Sequence, residues 1–131
     1  MGNDVWANLG EQKFVSLTTF KRNGDAVASP MWIAAEGEQL WAWTPADAWK
    51  VKRMQRDSRV TLSPCGRTGK VQGGAPVVNA TAEVITDAHE VTRVESLIKG
   101  KYGLESRLVT LIETIAARGR KPRFAVRIRV A

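Results

Sequence analysis

A cluster of basic residues near the middle of the chain is the clearest indication of chemistry. The cluster comprises Lys50, Lys52, Arg53 and Arg56. It follows a short aromatic-rich run that ends at Thr44-Pro45, and proline is well tolerated in the first turn of a helix. A helix N-terminus offers free backbone N–H groups and the positive end of a dipole. A strand, a helix start and basic side chains just inside the helix together predict a site for an anion, and a phosphorylated ligand suits it.

Other side chains that commonly do chemistry are scarce. The chain of 131 residues has one cysteine, Cys65, and one histidine, His89. An internal disulfide is impossible, no zinc-type cysteine spacing exists, and a histidine-based catalytic triad has no support. We therefore expect no metal site, an ordinary half-buried thiol at Cys65 and an exposed His89.

Charge and hydropathy limit the partners and the cellular location that the sequence allows. The net charge of +7 favours anionic partners. No apolar run approaches the roughly 18 residues that a membrane span needs, and the first residues lack the basic-then-apolar pattern of a signal peptide. We expect a cytoplasmic protein without a membrane span, folded as one domain over residues 1–131.

Six strands are predicted, with approximate ranges 13–20, 26–35, 39–44, 59–63, 77–86 and 122–130. Asn23-Gly24 is a strong signal for a hairpin between the first two, and Pro30 predicts an edge position or a bulge. We expect the first three strands to follow one another as a meander. Because closure removes exposed edges, the pattern favours a mainly β protein with inserted helices, closed into a small barrel.

Helices are predicted at about residues 1–9, 46–57, 87–101 and 104–118. Trp6 and Leu9 would pack the first helix on the barrel. Asp87, with Glu90 three residues later, predicts the N-cap of the third helix.

Several short motifs, taken in order, resemble the pyridoxamine-phosphate-oxidase-like flavoprotein superfamily. They are VSLTTF, SPMW, WAWT, the K-x-K-R helix and RVTLSPC, and the likeness extends over residues 13–130. More closely, the chain resembles the branch of small proteins that use the deazaflavin coenzyme F420. The resemblance implies a six-stranded antiparallel split β-barrel of the FMN-binding type, a homodimer and a cofactor site shared between the two subunits.

The resemblance also implies which residues bind the cofactor. Those that fall near the (deaza)flavin ring are Ser29, Pro30, Met31, Trp32, Pro64 and Cys65. Trp43 and Thr44 fall where the family has an aromatic residue and a threonine beside the ring and the phosphate. Lys50 falls on the family's phosphate lysine, and Lys52 and Arg53 lie close enough to assist.

Three features depart from the vitamin B6 oxidases of that superfamily. Those enzymes have arginines at about Ser29 and just before the phosphate lysine, where this chain has Trp49. Their C-terminal Arg-Leu motif is also missing, since the chain reads Arg129-Val130-Ala131. Tryptophan cannot make a bidentate phosphate contact. We therefore expect a weaker FMN clamp, no vitamin B6 oxidation, and a better fit for a deazaflavin with a phosphodiester and an acidic tail.

The implied activity is hydride transfer between reduced F420 and a small, flat, conjugated or quinone-like substrate. The cofactor carries such chemistry, so no catalytic side chain is assigned. Two alternatives remain open on the same motifs: an FMN-dependent enzyme of the same fold, and an F420 carrier without turnover. A nucleic-acid-binding barrel has only the net charge in its favour and is not expected. The sequence does not identify the substrate.

Overall fold

A computed structural model describes residues 2–103 and 122–131 and shows one curled antiparallel sheet with three helices. The strands are β1 (Val15–Phe20), β2 (Ala26–Met31), β3 (Ala34–Glu36), β4 (Gln39–Pro45), β5 (Arg59–Pro64), β6 (Val78–Ile85) and β7 (Arg123–Val130). The helices are α1 (Gly2–Glu11), α2 (Trp49–Arg56) and α3 (Ala88–Tyr102). The predicted helix at 104–118 lies outside the described residues.

The hairpin of β1 and β2 forms where the sequence predicted it. Gly24 adopts the left-handed conformation, with φ of 91°, that the Asn-Gly turn requires. Pro30 lies in β2, which is an edge strand and so tolerates the missing N–H. The prediction of an edge position for Pro30 is confirmed.

The strand count and the meander differ from prediction. The run 26–35 contains two strands rather than one, and the sheet has seven strands in the order β2-β1-β5-β6-β7-β4-β3. The third predicted strand, now β4, pairs with β7 and β3 instead of β2. The meander expectation is therefore wrong, because Trp32 and Ile33 carry the chain from one edge of the sheet to the other.

That short connection shows that the sheet curls into a barrel. Three residue steps, from Met31 to Ala34, reach at most about 11 Å. Seven strands in a flat sheet would place the two edges about 29 Å apart. The predicted split-barrel class, mainly β with inserted helices, is confirmed.

The barrel interior forms the larger core cluster. Alternate residues of the strands fill it, such as Val15 and Leu17 of β1 and Leu40 and Ala42 of β4. Trp6 and Leu9 of α1 pack into the same cluster, as predicted, and Met54 of α2 joins it.

A second core cluster lies on the opposite face of β4, under α3. It joins Trp41 and Trp43 to Val94, Ile98 and Tyr102. The predicted N-cap of α3 is confirmed, since the side chain of Asp87 accepts a hydrogen bond of 3.1 Å from the backbone N–H of Glu90. The two clusters mean that successive residues of β4 serve different parts of the molecule.

Candidate cofactor site

The residues expected beside the ring lie on three neighbouring strands. In the sheet, Val15 of β1 is opposite Met31 of β2 on one side and opposite Pro64 of β5 on the other. The ends of β2 and β5 therefore lie two strand spacings apart, about 10 Å, on either side of the start of β1. Cys65 continues this arrangement, because its backbone N–H bonds the carbonyl oxygen of Phe14 at 3.3 Å.

Lys50 lies in the first turn of α2 and turns its side chain toward β2. Its Nζ is 3.1 Å from the sulfur of Met31, and a thioether is only a weak acceptor. Burial, with a smaller contribution from the charge of Arg53, lowers the pKa of Lys50. Within residues 2–103 and 122–131 no carboxylate pairs with this ammonium. A half-buried cation without a counter-charge is a suitable partner for a bound anion.

The start of α2 leaves further donors for such an anion. Ala48 occupies the N-cap position and makes no side-chain capping bond. Thr44, at the end of the preceding strand, is 1% exposed. Its hydroxyl has no hydrogen-bond partner in the described part of the chain. An uncapped helix start and a half-buried ammonium are donors that a phosphate group would satisfy. The expected contact of Thr44 with the cofactor stays a prediction.

Trp43 does not share this environment. It lies in the cluster under α3, whereas Met31 belongs to the barrel interior. The guanidinium of Arg123 lies 4.0 Å from the centre of the Trp43 ring. The structure therefore does not group Trp43 with Met31 and Lys50, and its expected contact with the cofactor stays a prediction.

Trp32 is half-buried and stacks on Tyr102, with ring centroids 4.4 Å apart. The hydroxyl of Tyr102 accepts a hydrogen bond from the backbone N–H of Ile33 at 2.9 Å and donates one to the carbonyl of Lys13 at 2.7 Å. Lys101 donates to three backbone carbonyls, those of Gly10, Gln12 and Ile33. The end of α3 thus fixes the connection between the two edge strands, β2 and β3. Trp32 is part of this connection.

Sequence reasoning missed Tyr102 and Lys101. The one available signal was that Tyr102 is the chain's single tyrosine and directly follows the helix predicted at about residues 87–101. A buried tyrosine usually finds a hydrogen-bond partner, but its contact with residue 33 spans 69 positions and cannot be read from local patterns.

Pro64 and Cys65 line a groove of about 550 Å³ together with the glycine-rich segment that follows β5. Gly69, with φ of 90°, brings this segment back against β2, and a Cβ on Gly69 would lie 3.3 Å from the Cδ of Pro30. Cys65 is half-buried, as expected, and burial raises its pKa, so the side chain is a thiol at neutral pH.

Lys52 and Arg53 lie on a different groove, which we call the basic groove. Its lining is Lys21, Arg22, Trp49, Lys52, Arg53 and Arg56, and its volume is about 610 Å³. Arg53 Nε donates to the hydroxyl of Thr19 at 2.7 Å, and the ammonium of Lys52 lies 4.5 Å from the centre of the Trp49 ring. The expected assistance of Lys52 and Arg53 to Lys50 stays a prediction.

None of the helices in the described part of the chain is long and apolar enough to cross a lipid bilayer.

Comparison with known proteins shows which family the sequence matches. The sequence profile of the pyridoxamine 5'-phosphate oxidase family matches residues 4–131. No curated protein matches the chain at a significant level.

Several solved structures share the fold at low sequence identity. A conserved hypothetical protein from Mycobacterium tuberculosis is 20% identical, with 97% of this chain and 78% of that chain covered and a TM-score of 0.67. An F420 reductase is 16% identical, with coverage of 96% and 93% and a TM-score of 0.62. The heme storage protein HutZ from Vibrio cholerae is 13% identical, with coverage of 98% and 88% and a TM-score of 0.67. Proteins of this fold are thus described both as a reductase and as a heme storage protein.

Proposed function

The chain belongs to the pyridoxamine 5'-phosphate oxidase family, and on that premise we propose that it is an F420-dependent oxidoreductase. The proposed reaction transfers a hydride between reduced F420 and a small, flat, conjugated or quinone-like substrate. The bound deazaflavin supplies the hydride chemistry, and the protein positions it.

The observation that carries the proposal is the environment of Lys50. Its ammonium is half-buried against the sulfur of Met31 and has no acidic partner among the described residues. Leaving a charge in this state lowers the stability of the empty protein. Such a cost is typical of a residue kept for binding, and the uncapped start of α2 supplies further donors at the same place.

In the proposed complex different residues contact different parts of the cofactor. Lys50, the first turn of α2 and the hydroxyl of Thr44 hold the phosphodiester. The ring lies along Ser29–Trp32 and reaches the end of β5 at Pro64 and Cys65. Trp32 and the glycine-rich segment that closes on Pro30 shield the ring from water.

Two replacements favour F420 over FMN. The family's FMN enzymes have arginines where this chain has Ser29 and Trp49, as the resemblance implies. Tryptophan donates one N–H and carries no charge. The singly charged phosphodiester of F420 needs fewer cations than the terminal phosphate of FMN, so one half-buried lysine suits it better.

We also propose a single cofactor-binding domain over residues 1–131 that acts as a homodimer in the cytoplasm. The family's site is completed by a second subunit, as the resemblance implies. Size-exclusion chromatography with light scattering on the purified chain tests the dimer, and a monomer at micromolar concentration would contradict it.

Binding of three cofactors in parallel tests the proposal. Purified protein is titrated with F420, FMN and hemin while intrinsic tryptophan fluorescence is recorded. Micromolar or tighter binding of F420 with weak binding of FMN supports it. Tight FMN binding favours the alternative flavoprotein. Tight binding of hemin alone would instead favour a role in heme storage, as described for the Vibrio cholerae neighbour. F420 binding without reduction of any quinone tested would favour a carrier.

A further inference from the structure

The basic groove concentrates cations that have no acidic partners. Five of its six lining residues are lysine or arginine, and none of the lining residues is acidic. Elsewhere on the described surface some cations are paired: Arg93 with Glu36 and Glu90, and Lys99 with Glu95. In the basic groove no carboxylate of the described residues forms an ion pair with any of the five.

Two of the five cations are fixed in place by the barrel. Arg53 donates from Nε to the hydroxyl of Thr19, and Arg56 donates from one terminal nitrogen to the carbonyl of Phe20. A guanidinium has five N–H donors. Each arginine therefore keeps most of its donors for a ligand, and its orientation is set before binding, which reduces the entropy lost on association.

The sixth lining residue is an exposed aromatic. Trp49 is 70% exposed, the largest value among the exposed large hydrophobic side chains of the described chain. The ammonium of Lys52 lies over its ring. An open indole beside lysines and arginines is the combination on which nucleic-acid bases stack.

We propose that the basic groove is a second anion site, separate from Lys50, that binds nucleotide phosphates with a base stacked on Trp49. Trp49 and Arg56 are seven residues apart, which is about 10.5 Å along a helix. That length suits a base at one end and two or three phosphates toward the other. The groove volume of about 610 Å³ lies in the usual range of small-ligand sites.

The same chemistry is offered by a free nucleotide and by a single strand of nucleic acid. Both supply a flat base and neighbouring phosphates. A membrane surface fits less well, because α2 already buries its apolar residues, Val51 and Met54, against the barrel. The groove is also concave, since Lys21 and Arg22 of the β1–β2 turn line it together with α2.

Calorimetry with three probes tests the site: ADP, inorganic pyrophosphate and an eight-residue oligodeoxythymidine. Wild type should bind at least one phosphate probe, with affinity that falls as salt rises. Removing two cations in Lys52→Gln/Arg56→Gln should weaken binding at least about tenfold. Trp49→Leu should weaken ADP or the oligonucleotide but not pyrophosphate. Binding of ADP identifies a free nucleotide, and binding of the oligonucleotide alone identifies a strand.

The controls separate this site from the proposed cofactor site. Lys50→Ala should weaken the three probes far less than Lys52→Gln/Arg56→Gln does, because only its distant charge is lost, and Lys99→Gln on α3 should leave their affinity unchanged. An equal loss in Lys50→Ala would overturn a separate site. Binding of none of the probes would overturn it too, as would binding only to vesicles of anionic phospholipid. F420 binding measured on the same variants shows whether the cofactor proposal stands or fails independently.

Discussion

The ammonium of Lys50 lies 3.1 Å from the thioether sulfur of Met31. This contact joins the first turn of α2 to the end of β2, two segments expected at opposite ends of the same cofactor. The sulfur cannot neutralise the charge. The relationship therefore makes Lys50 costly in the empty protein and useful once an anion binds.

Replacing Lys50 by methionine should stabilise the empty protein while it abolishes phosphate binding. The change removes a desolvated charge near Arg53 and keeps an unbranched side chain of similar length. We expect the Tm to rise by about 1–4 °C. The matched change Lys52→Met, on the exposed side of the same helix, should give no such gain. Thermal unfolding measures both, and a fall in Tm for Lys50→Met would show that the charge is already compensated.

Cofactor affinity should fall in alkaline solution. Burial lowers the pKa of Lys50, so its ammonium loses the proton earlier than an ordinary lysine as the pH rises. The neutral amine no longer attracts a phosphodiester, so the Kd for F420 should rise as the pH increases through that lowered pKa, before an ordinary lysine loses its proton. Lys50→Arg keeps its charge over this range and should bind with little pH dependence. An identical pH profile for the two proteins would contradict the assignment.

The same pKa predicts how stability depends on pH. In the folded state Lys50 has the lowered pKa, and in the unfolded state it has the ordinary one. Between the two values the unfolded chain binds more protons, so the free energy of unfolding should increase as the pH rises through the lowered pKa. Urea unfolding of wild type and Lys50→Met across this range should show a larger increase in wild type. The difference between the two is the contribution of Lys50, because Lys101, whose pKa is also lowered by desolvation, contributes equally to both.

Removing the hydroxyl of Tyr102 should weaken the connection between the barrel edges. Tyr102→Phe keeps the stack on Trp32 but leaves the N–H of Ile33 and the carbonyl of Lys13 without this partner. A buried backbone group without a partner costs about 1–3 kcal/mol. Urea denaturation measures the loss, with Phe14→Leu as a control for general sensitivity near β1. An unchanged free energy of unfolding would mean that water replaces the hydroxyl.

A side chain at Gly69 should disturb the glycine-rich segment that closes on β2. Gly69→Ala forces alanine into φ of 90° and brings its Cβ to 3.3 Å from Pro30. We expect a loss of about 1–2 kcal/mol in stability. Gly73→Ala is the matched control, because Gly73 has neither a positive φ nor a neighbour within 4 Å. Equal effects of the two changes would show that the segment does not depend on this contact.

Local patterns predicted most of the elements. The Asn-Gly hairpin, the N-cap at Asp87 and the edge position of Pro30 each follow from the backbone conformation or hydrogen bonding of one or two residues. The curled sheet follows from strand number, because several antiparallel strands remove their edges by closing.

The connection at Trp32 and Ile33 could not be predicted in this way. The run from 26 to 35 contains no Gly, Asn or Asp turn signal between Met31 and Ala34, and only the closed barrel splits it there. The hydrogen bonds of Tyr102 and Lys101 to this connection span 69 and 68 residues. Strand periodicity places Trp43 and Thr44 on opposite faces of β4. Which of the two faces lies inside the barrel depends on the pairing of β4 with β7, and local patterns do not predict that pairing.

The proposed contact between Lys50 and the cofactor phosphate is tested most directly by removing the phosphate from the ligand and the ammonium from the protein. The Kd values of F420 and of its deazaflavin ring without the phosphodiester tail are measured for wild type and Lys50→Ala. A charge-assisted phosphate contact predicts that Lys50→Ala weakens F420 by roughly 10- to 100-fold and leaves the tail-free ring unaffected. An equal loss for both ligands, or no loss for either, would contradict the placement of the cofactor phosphate at Lys50.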